Sequence, residues 1–161
     1  MTNDHNKHSN RTNGFYKTPN KTVEYIVKKV KPFIKPNSKI LDPAVGDGVF
    51  LKKMIELGVK KEQIYCHDIN PDIIQELKNE FPNILLKDSL LEDYEKVDII
   101  VGNPPYNSNE CDYIKKNRKL LKEKFELIGA INLYPIFIYA GIEKLKEDGI
   151  LCMIVLDSFL T

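Results

Sequence analysis

The sequence contains little that points to a secreted, disulfide-stabilised or membrane-spanning protein. It has no tryptophan and three widely separated cysteines, an odd number, so we expect neither a disulfide framework nor a metal site. Polar residues follow Met1, which predicts no secretory signal, and the longest apolar run, 150–156, is too short to cross a bilayer. We therefore expect a cytoplasmic protein with reduced thiols and no membrane partner.

A strong overall charge is also absent, because 24 basic and 23 acidic residues leave a net charge of +1. This balance neither announces nor excludes a nucleic-acid partner, so any such evidence must be local. Residues 115–124 form a strongly basic stretch with six lysines or arginines and one acid. Two interpretations of the stretch stay open, a phosphate-binding surface and a solvated helix face.

The 161 residues, of which 42% are hydrophobic, suffice for one domain with a sizeable core. Residues 1–13 are almost all polar and predict a flexible tail, which leaves one domain over 14–161. Beyond the tail, strand and helix patterns alternate, and this alternation predicts an α/β fold with a parallel sheet between helices. The predicted strands are 39–41, 63–67, 84–86, 97–101 and 150–156, and the predicted helices are 19–30, 48–57, 71–80 and 133–146.

One short loop carries the clearest chemical signal. Asn103, Pro104, Pro105 and Tyr106 directly follow the apolar strand 97–101 and a glycine. The two prolines fix the backbone and donate no hydrogen bonds, so they end the strand in a rigid loop. Carbonyl oxygens of Asn103 and Pro104 can accept both hydrogens of an exocyclic amino group, and Tyr106 offers a flat face to a planar ring.

Acids follow three other predicted strands. Asp42 precedes a tight turn with Gly46 and Gly48, which permit close approach of a ligand. Asp68 ends the second strand, twenty positions after Gly48, where an acid commonly binds ribose hydroxyls. Asp88 follows the third strand and either accepts from an adenine amino group or caps the next turn. In a parallel sheet these strand ends share one edge, which predicts a ligand site there.

From Phe15 to the C-terminus, the sequence resembles the gamma-class (TaqI-like) N6-adenine DNA methyltransferases. Asp42-Pro43-Ala44-Val45-Gly46-Asp47-Gly48 matches the first cofactor loop of that family, and 103–106 matches its catalytic motif. The segments 15–19, 68–71, 88–91, 132–134 and 158–160 resemble further motifs, whereas Asp157 stands where the family usually has proline.

The resemblance implies a Rossmann-like methyltransferase fold with S-adenosylmethionine as cofactor. It assigns the start of the first helix to the methionine carboxylate, Asp68 to the ribose and Asp88 to the adenine amino group of that cofactor. The catalytic residues it implies are Asn103, Pro104, Pro105 and Tyr106. The cofactor-binding residues it implies are Thr18, Asp42, Pro43, Ala44, Gly46, Gly48, Asp68, Ile69, Asp88, Ser89 and Asn103.

The activity implied by the resemblance is a restriction-modification type of DNA methylation at N6 of a flipped-out adenine. The family continues with two more strands and a target-recognition domain, so we expect a sheet that is incomplete at its C-terminal side. Three alternatives stay open for the chain: a truncated gene product, a cloned fragment, or one piece of a split enzyme that a second chain completes. Two alternatives stay open, an RNA or protein-glutamine N-methyltransferase and a non-catalytic cofactor-binding remnant.

Overall fold

The computed structural model describes residues 17–106, 111–127 and 131–156, which contain five strands and five α-helices. The predicted tail 1–13 and the motif segments around Phe15 and Asp157 lie outside these residues. The strands are β1 (Ile40–Asp42), β2 (Ile64–Asp68), β3 (Asn83–Leu86), β4 (Val97–Gly102) and β5 (Leu145–Met153). The helices are α1 (Asn20–Val30), α2 (Val49–Glu56), α3 (Pro71–Leu77), α4 (Asp112–Lys124) and α5 (Leu133–Glu143).

The five strands form one sheet in the order β3-β2-β1-β4-β5, and every neighbouring pair is parallel. Ile40 of β1 aligns with Ile64 of β2 on one side and with Ile99 of β4 on the other. This arrangement confirms the predicted parallel α/β fold. Because all strands run the same way, the residues that follow β1, β2, β3 and β4 lie along one edge of the sheet.

Helices cover both faces of the sheet, and alternate strand residues decide which face each side chain meets. Val23 and Val27 of α1 and Met54 of α2 pack in one buried cluster with Ile40, Ile64, Cys66 and Ile99. On the opposite face, Leu41, Ile100 and Leu151 lie beneath α5, while Ile114 and Leu121 of α4 join the α5 cluster. The near-continuous burial of β4 is typical of a central parallel strand.

The first helix begins one residue later than its sequence predicts. A threonine followed by proline predicts a helix that Thr18 caps and Pro19 begins, but the helix begins at Asn20 and no side chain caps it. The predicted cap chemistry occurs instead at α3, where Asn70 Oδ1 accepts from the backbone N–H of Asp72, 2.9 Å away, before Pro71. Thr18 is buried and its hydroxyl is used elsewhere.

The last predicted helix is shorter and the last strand begins earlier than expected. Helix α5 ends at Glu143 because the Lys144 carbonyl accepts from the backbone N–H of Val97, 2.9 Å away, and draws the chain into the sheet. Leu145 already pairs with Val97, whereas Ile150 pairs with Ile99, so β5 holds three more residues than β4 between these pairs. Asp148 and Gly149, residue types typical of a turn, lie in this register shift of β5, and Asp148 has a φ of 61° there.

Candidate functional site

The loop after β4 is held rigidly against the end of β5. The carbonyl of Gly102 accepts from the backbone N–H of Ile154 at 3.1 Å, which extends the β4–β5 pairing past the strand. The Tyr106 hydroxyl lies 2.5 Å from Asn103 Oδ1 and 3.1 Å from the Ile154 carbonyl, and both are acceptors. Burial raises the pKa of Tyr106 to about 12, so this hydroxyl keeps the proton that it donates. The loop therefore has one defined shape.

The Asn103 amide is oriented from both of its ends. Its Nδ2 donates to Thr18 Oγ1 at 3.2 Å, and its Oδ1 accepts from Tyr106. Thr18 is 85 positions away in the sequence, and its side chain is buried beside the sheet edge. With Nδ2 on Thr18, the amide oxygen faces the Tyr106 hydroxyl. Two residues that are remote from each other in the sequence thus hold the Asn103 amide in this orientation.

Asp42, at the end of β1, lies directly behind this loop. Its side chain is 2% exposed, and a Cβ built on Gly102 would lie 2.7 Å from Asp42 Oδ1. Burial raises the pKa of Asp42 to about 8, although the Ala44 N–H, 3.2 Å from Oδ1, opposes the shift. The glycine before Asn103 therefore makes room for a buried carboxyl group. The sequence gives no local sign of this contact.

The predicted cofactor loop turns sharply between β1 and α2. Gly46 and Gly48 have φ angles of 52° and 71°, which confirms that the turn uses glycine's conformational freedom. The Gly46 N–H donates to Asp68 Oδ2 at 3.1 Å, and the Asn70 N–H donates to Asp68 Oδ1 at 2.9 Å. Burial raises the pKa of Asp68, and these backbone N–H groups partly offset the shift. The acid at the end of β2 thus ties two loops together.

Around this turn, Pro43 is buried and Ala44 is half-buried. Ile69 is 55% exposed immediately after Asp68, which is unusual for a large apolar side chain and leaves its surface available to a ligand. Pro104 is buried and Pro105 is half-buried. These residues line the same edge of the sheet as the Asn103 loop.

Asp88, after β3, caps the turn that follows it and also accepts from Tyr113, a residue that the sequence analysis did not single out. Its Oδ1 accepts from the backbone N–H groups of Leu90 and Leu91 at 2.9 and 3.1 Å. The Tyr113 hydroxyl also lies 2.9 and 3.1 Å from its two carboxylate oxygens. The pKa of Tyr113 is raised well above its ordinary value, first by burial and then by the Asp88 charge. No sequence spacing links these residues, which are 25 positions apart.

The Ser89 side chain does not point toward this edge. Its Oγ is buried and lies 2.9 Å from Nδ1 of His67, whose ring packs edge-on against Tyr94 at 4.9 Å. Burial lowers the pKa of His67 to about 4, so the ring is neutral at ordinary pH. The Ser89 hydroxyl is therefore hydrogen-bonded inside the protein, and its cofactor-binding role stays a prediction.

The structure thus brings the predicted site residues to one edge in three connected groups. The first group contains Asn103, Thr18 and Tyr106, with Asp42 behind them. The second contains Asp68 and Gly46. The third contains Asp88 and Tyr113. In the residues described, no group of three or more histidine, cysteine or acidic side chains is arranged to hold a metal ion. No helix in the described ranges is both long and apolar enough to span a membrane.

A protein-family model described as the Eco57I restriction-modification methylase matches residues 49–161. Type II methyltransferase M.AccI from Acinetobacter calcoaceticus is 34% identical over 132 residues, which are 75% of this chain and 24% of that protein. Type II methyltransferase M.HincII from Haemophilus influenzae is 31% identical over 158 residues, 92% of this chain and 28% of that protein. The chain therefore spans about a quarter of the length of these curated relatives.

Among solved structures, the fold resembles the type IIG restriction endonuclease BpuSI with a TM-score of 0.75 at 21% identity. That match covers 92% of this chain and 20% of the endonuclease. Identity at this level shows a shared fold only. The family model, by contrast, matches well over half of the sequence and includes the Asn103 loop. The chain belongs to the Eco57I restriction-modification methylase family.

Proposed function

We propose that this chain is the cofactor-binding and catalytic part of a gamma-class DNA methyltransferase that methylates adenine at N6. The observation that carries the proposal is the oriented Asn103 amide at the end of β4, beside the loops of Asp42 and Asp68. Membership of a restriction-modification methylase family supports DNA as the substrate. The chain spans about a quarter of the length of its relatives. The proposal therefore extends to the activity and the base recognition of a whole protein.

In the proposed mechanism, the loop binds the target amino group through two acceptors. Asn103 Oδ1 and the Pro104 carbonyl accept its two hydrogens, and this orients the nitrogen lone pair. The amide oxygen already accepts from Tyr106, and an sp² oxygen with two lone pairs can accept two hydrogen bonds. The Tyr106 ring provides the stacking face for a flipped base, and its tilted contact with Tyr134 at 5.9 Å supports it from behind.

The residues at the sheet edge fit S-adenosylmethionine. Asp68 has backbone donors that hold its carboxylate at the strand end, where it can accept from ribose hydroxyls. The exposed Ile69 side chain offers apolar surface to the adenine ring, and Asp88 offers an acceptor to the adenine amino group. The Thr18 hydroxyl, which accepts from Asn103, still has its own hydrogen to donate to the methionine carboxylate.

The chemistry of the step is a direct displacement at carbon. When bound, S-adenosylmethionine supplies an electrophilic methyl group on a sulfonium centre. The lone pair of N6 forms the new N–C bond as the S–C bond breaks, its electrons go to sulfur, and one amino proton is released to water. The protein supplies position and charge stabilisation and needs no covalent intermediate. The buried carboxyl of Asp42 fixes the loops behind the acceptors.

Calorimetric titration of the 161-residue chain with S-adenosylmethionine tests the cofactor assignment. Asp68→Ala removes the carboxylate that ties the two loops, so we expect saturable binding that weakens at least tenfold in this variant. Asp72→Ala removes an exposed acid four positions away and serves as the matched control. A folded chain that does not bind the cofactor would overturn the proposal.

Methyl transfer to unmethylated genomic DNA tests the substrate. Digestion of the product to nucleosides should yield N6-methyladenine, and Asn103→Ala should abolish the signal. N4-methylcytosine in the digest would keep the amino-methyl chemistry but overturn the adenine assignment. Parallel assays with RNA and with a release factor test the two other acceptor classes. Cofactor binding without transfer to any acceptor would identify a non-catalytic binding module instead.

A further inference from the structure

Helix α4 carries a positive charge that the rest of the chain does not share. Its thirteen residues include six basic and two acidic side chains, a net charge of +4. The whole sequence has a net charge of +1, so the residues outside this helix sum to −3. The basic residues are Lys115, Lys116, Arg118, Lys119, Lys122 and Lys124. A local concentration of this kind on a nearly neutral chain marks a binding surface for a polyanion.

Four of these side chains form one stripe along the helix. Lys115, Arg118, Lys119 and Lys122 are spaced i, i+3, i+4 and i+7, so they share a single face about 10 Å long. Lys115 and Lys119 are exposed, and the other two are half-buried. We call these four residues the basic stripe.

The core fixes the direction in which the basic stripe points. Ile114 and Leu121 are fully buried on another face of α4 and pack in one cluster with residues of α5. This helix therefore has no free apolar face with which to enter a membrane surface. Its solvent-facing side carries mostly charged side chains, together with the exposed Leu120.

Two ion pairs elsewhere on the protein are shorter than the ion pair between Lys119 of the stripe and Glu123. Lys39 lies 2.5 Å from Glu95, and Lys146 lies 2.9 Å from Asp98. On α4, the pair between Lys119 and Glu123 spans 3.8 Å, and both of its side chains are exposed, 88% and 62%. Exposed pairs of this length contribute little and are readily exchanged for a phosphate.

The basic stripe begins beside the edge that carries the candidate site. Tyr113, in the first turn of α4, donates to Asp88 after β3, which anchors the start of the helix to that edge. Lys115 follows two residues later, and α4 itself begins six positions after Tyr106. The start of the stripe is therefore anchored at the sheet edge on which the Asn103 loop also lies.

We propose that the basic stripe binds the phosphate backbone of duplex DNA whose target base enters the Asn103 loop. This inference rests on the proposed function, because it assigns a substrate-binding surface to the same site. Lysine and arginine contacts to phosphates position a duplex without reading its sequence. The stripe accordingly contributes affinity and registration, and base recognition belongs to other residues.

The test compares two triple variants of the 161-residue chain with the same change in net charge. Lys115→Gln, Lys119→Gln and Lys122→Gln together remove three charges of the stripe. Lys28→Gln, Lys29→Gln and Lys31→Gln remove three exposed charges in and just after α1, which packs on the opposite face of the sheet. Fluorescence anisotropy of a labelled 25-base-pair duplex is measured between 50 and 200 mM salt. Calorimetry with S-adenosylmethionine is run on each protein.

We expect the slope of log K against log salt to become less steep by about 0.9 for each lost phosphate contact in the stripe variant only. Equal slopes in the two variants, or no binding by the unsubstituted chain at 50 mM salt, would overturn the inference. Displacement of the duplex by a lower concentration of single-stranded RNA would replace DNA with RNA as the partner. Cofactor binding is measured separately by calorimetry. If the unsubstituted chain does not bind S-adenosylmethionine, the proposed function fails, and not only the inference about the stripe.

Discussion

The Nδ2 atom of Asn103 donates to Thr18 Oγ1 across 3.2 Å, and this bond joins residues 85 positions apart. It connects the loop after β4 to the segment just before α1, where Thr18 lies two residues ahead of Asn20. An asparagine amide has two ends of similar shape, and its surroundings decide which end is the acceptor. Thr18 thereby helps to hold the Asn103 amide in the orientation that the proposed mechanism uses.

Thr18→Val keeps the shape of this side chain but removes its acceptor oxygen. We expect methyl transfer to slow roughly fivefold, because the lost hydrogen bond is worth about 1 kcal/mol and the amide becomes free to rotate. Thr18→Ser retains the hydroxyl and should stay near the unsubstituted rate. Single-turnover transfer is the measurement, with Thr22→Val, a half-buried threonine of α1, as control. An unchanged rate in Thr18→Val would show that Tyr106 alone orients the amide.

Tyr113→Phe tests whether the Tyr113 hydroxyl positions Asp88 for the adenine of the cofactor. Without that donor the carboxylate loses a hydrogen bond that holds both of its oxygens. We expect S-adenosylhomocysteine to bind about three- to tenfold more weakly, since hydrogen bonds to charged groups contribute roughly 1.5–3 kcal/mol before solvent exposure is considered.

The deaminated analogue S-inosylhomocysteine separates this role from a general loss of stability. It lacks the amino group that Asp88 is proposed to accept from, so its affinity should change little in Tyr113→Phe. Calorimetric titrations of both ligands give the ratio of the two affinities. If both affinities fall by the same factor, Tyr113 supports the fold and not the recognition of adenine.

Asp42→Asn should make stability less dependent on pH. Burial raises the pKa of Asp42 to about 8 in the folded chain, whereas an unfolded chain releases this proton near pH 4. Between these values the folded state binds the extra proton, so the free energy of unfolding falls as the pH rises toward 8. The variant lacks this proton and should lose less stability over that interval.

Urea unfolding between pH 6.5 and 8.5 measures this effect. This pH range avoids the titration of His67. Burial lowers the pKa of His67 to about 4, so the stability that the neutral ring contributes is lost as the pH falls from about 6.5. Asp72→Asn removes an exposed acid on α3 and is the control. A pH dependence as steep in Asp42→Asn as in the unsubstituted chain would contradict a proton on Asp42.

Gly102→Ala should destabilise the protein by about 1–3 kcal/mol because its methyl group would overlap Asp42 Oδ1. The cost should shrink when Asp42→Ala is present, since the two residues touch and their effects are then not additive. Urea unfolding of the single and double variants measures the coupling. Gly58→Ala is the control, because nothing lies within 4 Å of its Cβ and its φ of +92° leaves only backbone strain. Additive costs would show that the loop relaxes away from Asp42.

Much of the fold follows from local pattern. Short apolar runs alternate with amphipathic segments, and this predicts a parallel sheet because parallel strands need crossover connections. The glycines at 46 and 48 predict the sharp turn before α2, and two successive prolines predict the rigid loop after β4. Each of these features depends on residues that are close in sequence, so the sequence alone determined them.

The boundaries that failed depend on distant partners. Thr18 has the chemistry of a helix cap, but its hydroxyl bonds to Asn103 instead, and α1 begins at Asn20. Helix α5 ends early because Lys144 bonds to Val97 in another strand. Local helix propensity does not include either of these hydrogen bonds to distant residues.

The sequence by itself determined which residues stand at the ends of the strands: Asp42, Asp68, Asp88 and Asn103. Only the tertiary structure decided what each of them contacts. Tyr113 reaches Asp88, Gly102 makes room for Asp42, and Ser89 turns inward to His67. The physical reason is that strand order and periodicity are local properties of the chain. Hydrogen-bond partners and close contacts arise only when the sheet brings remote segments to one edge.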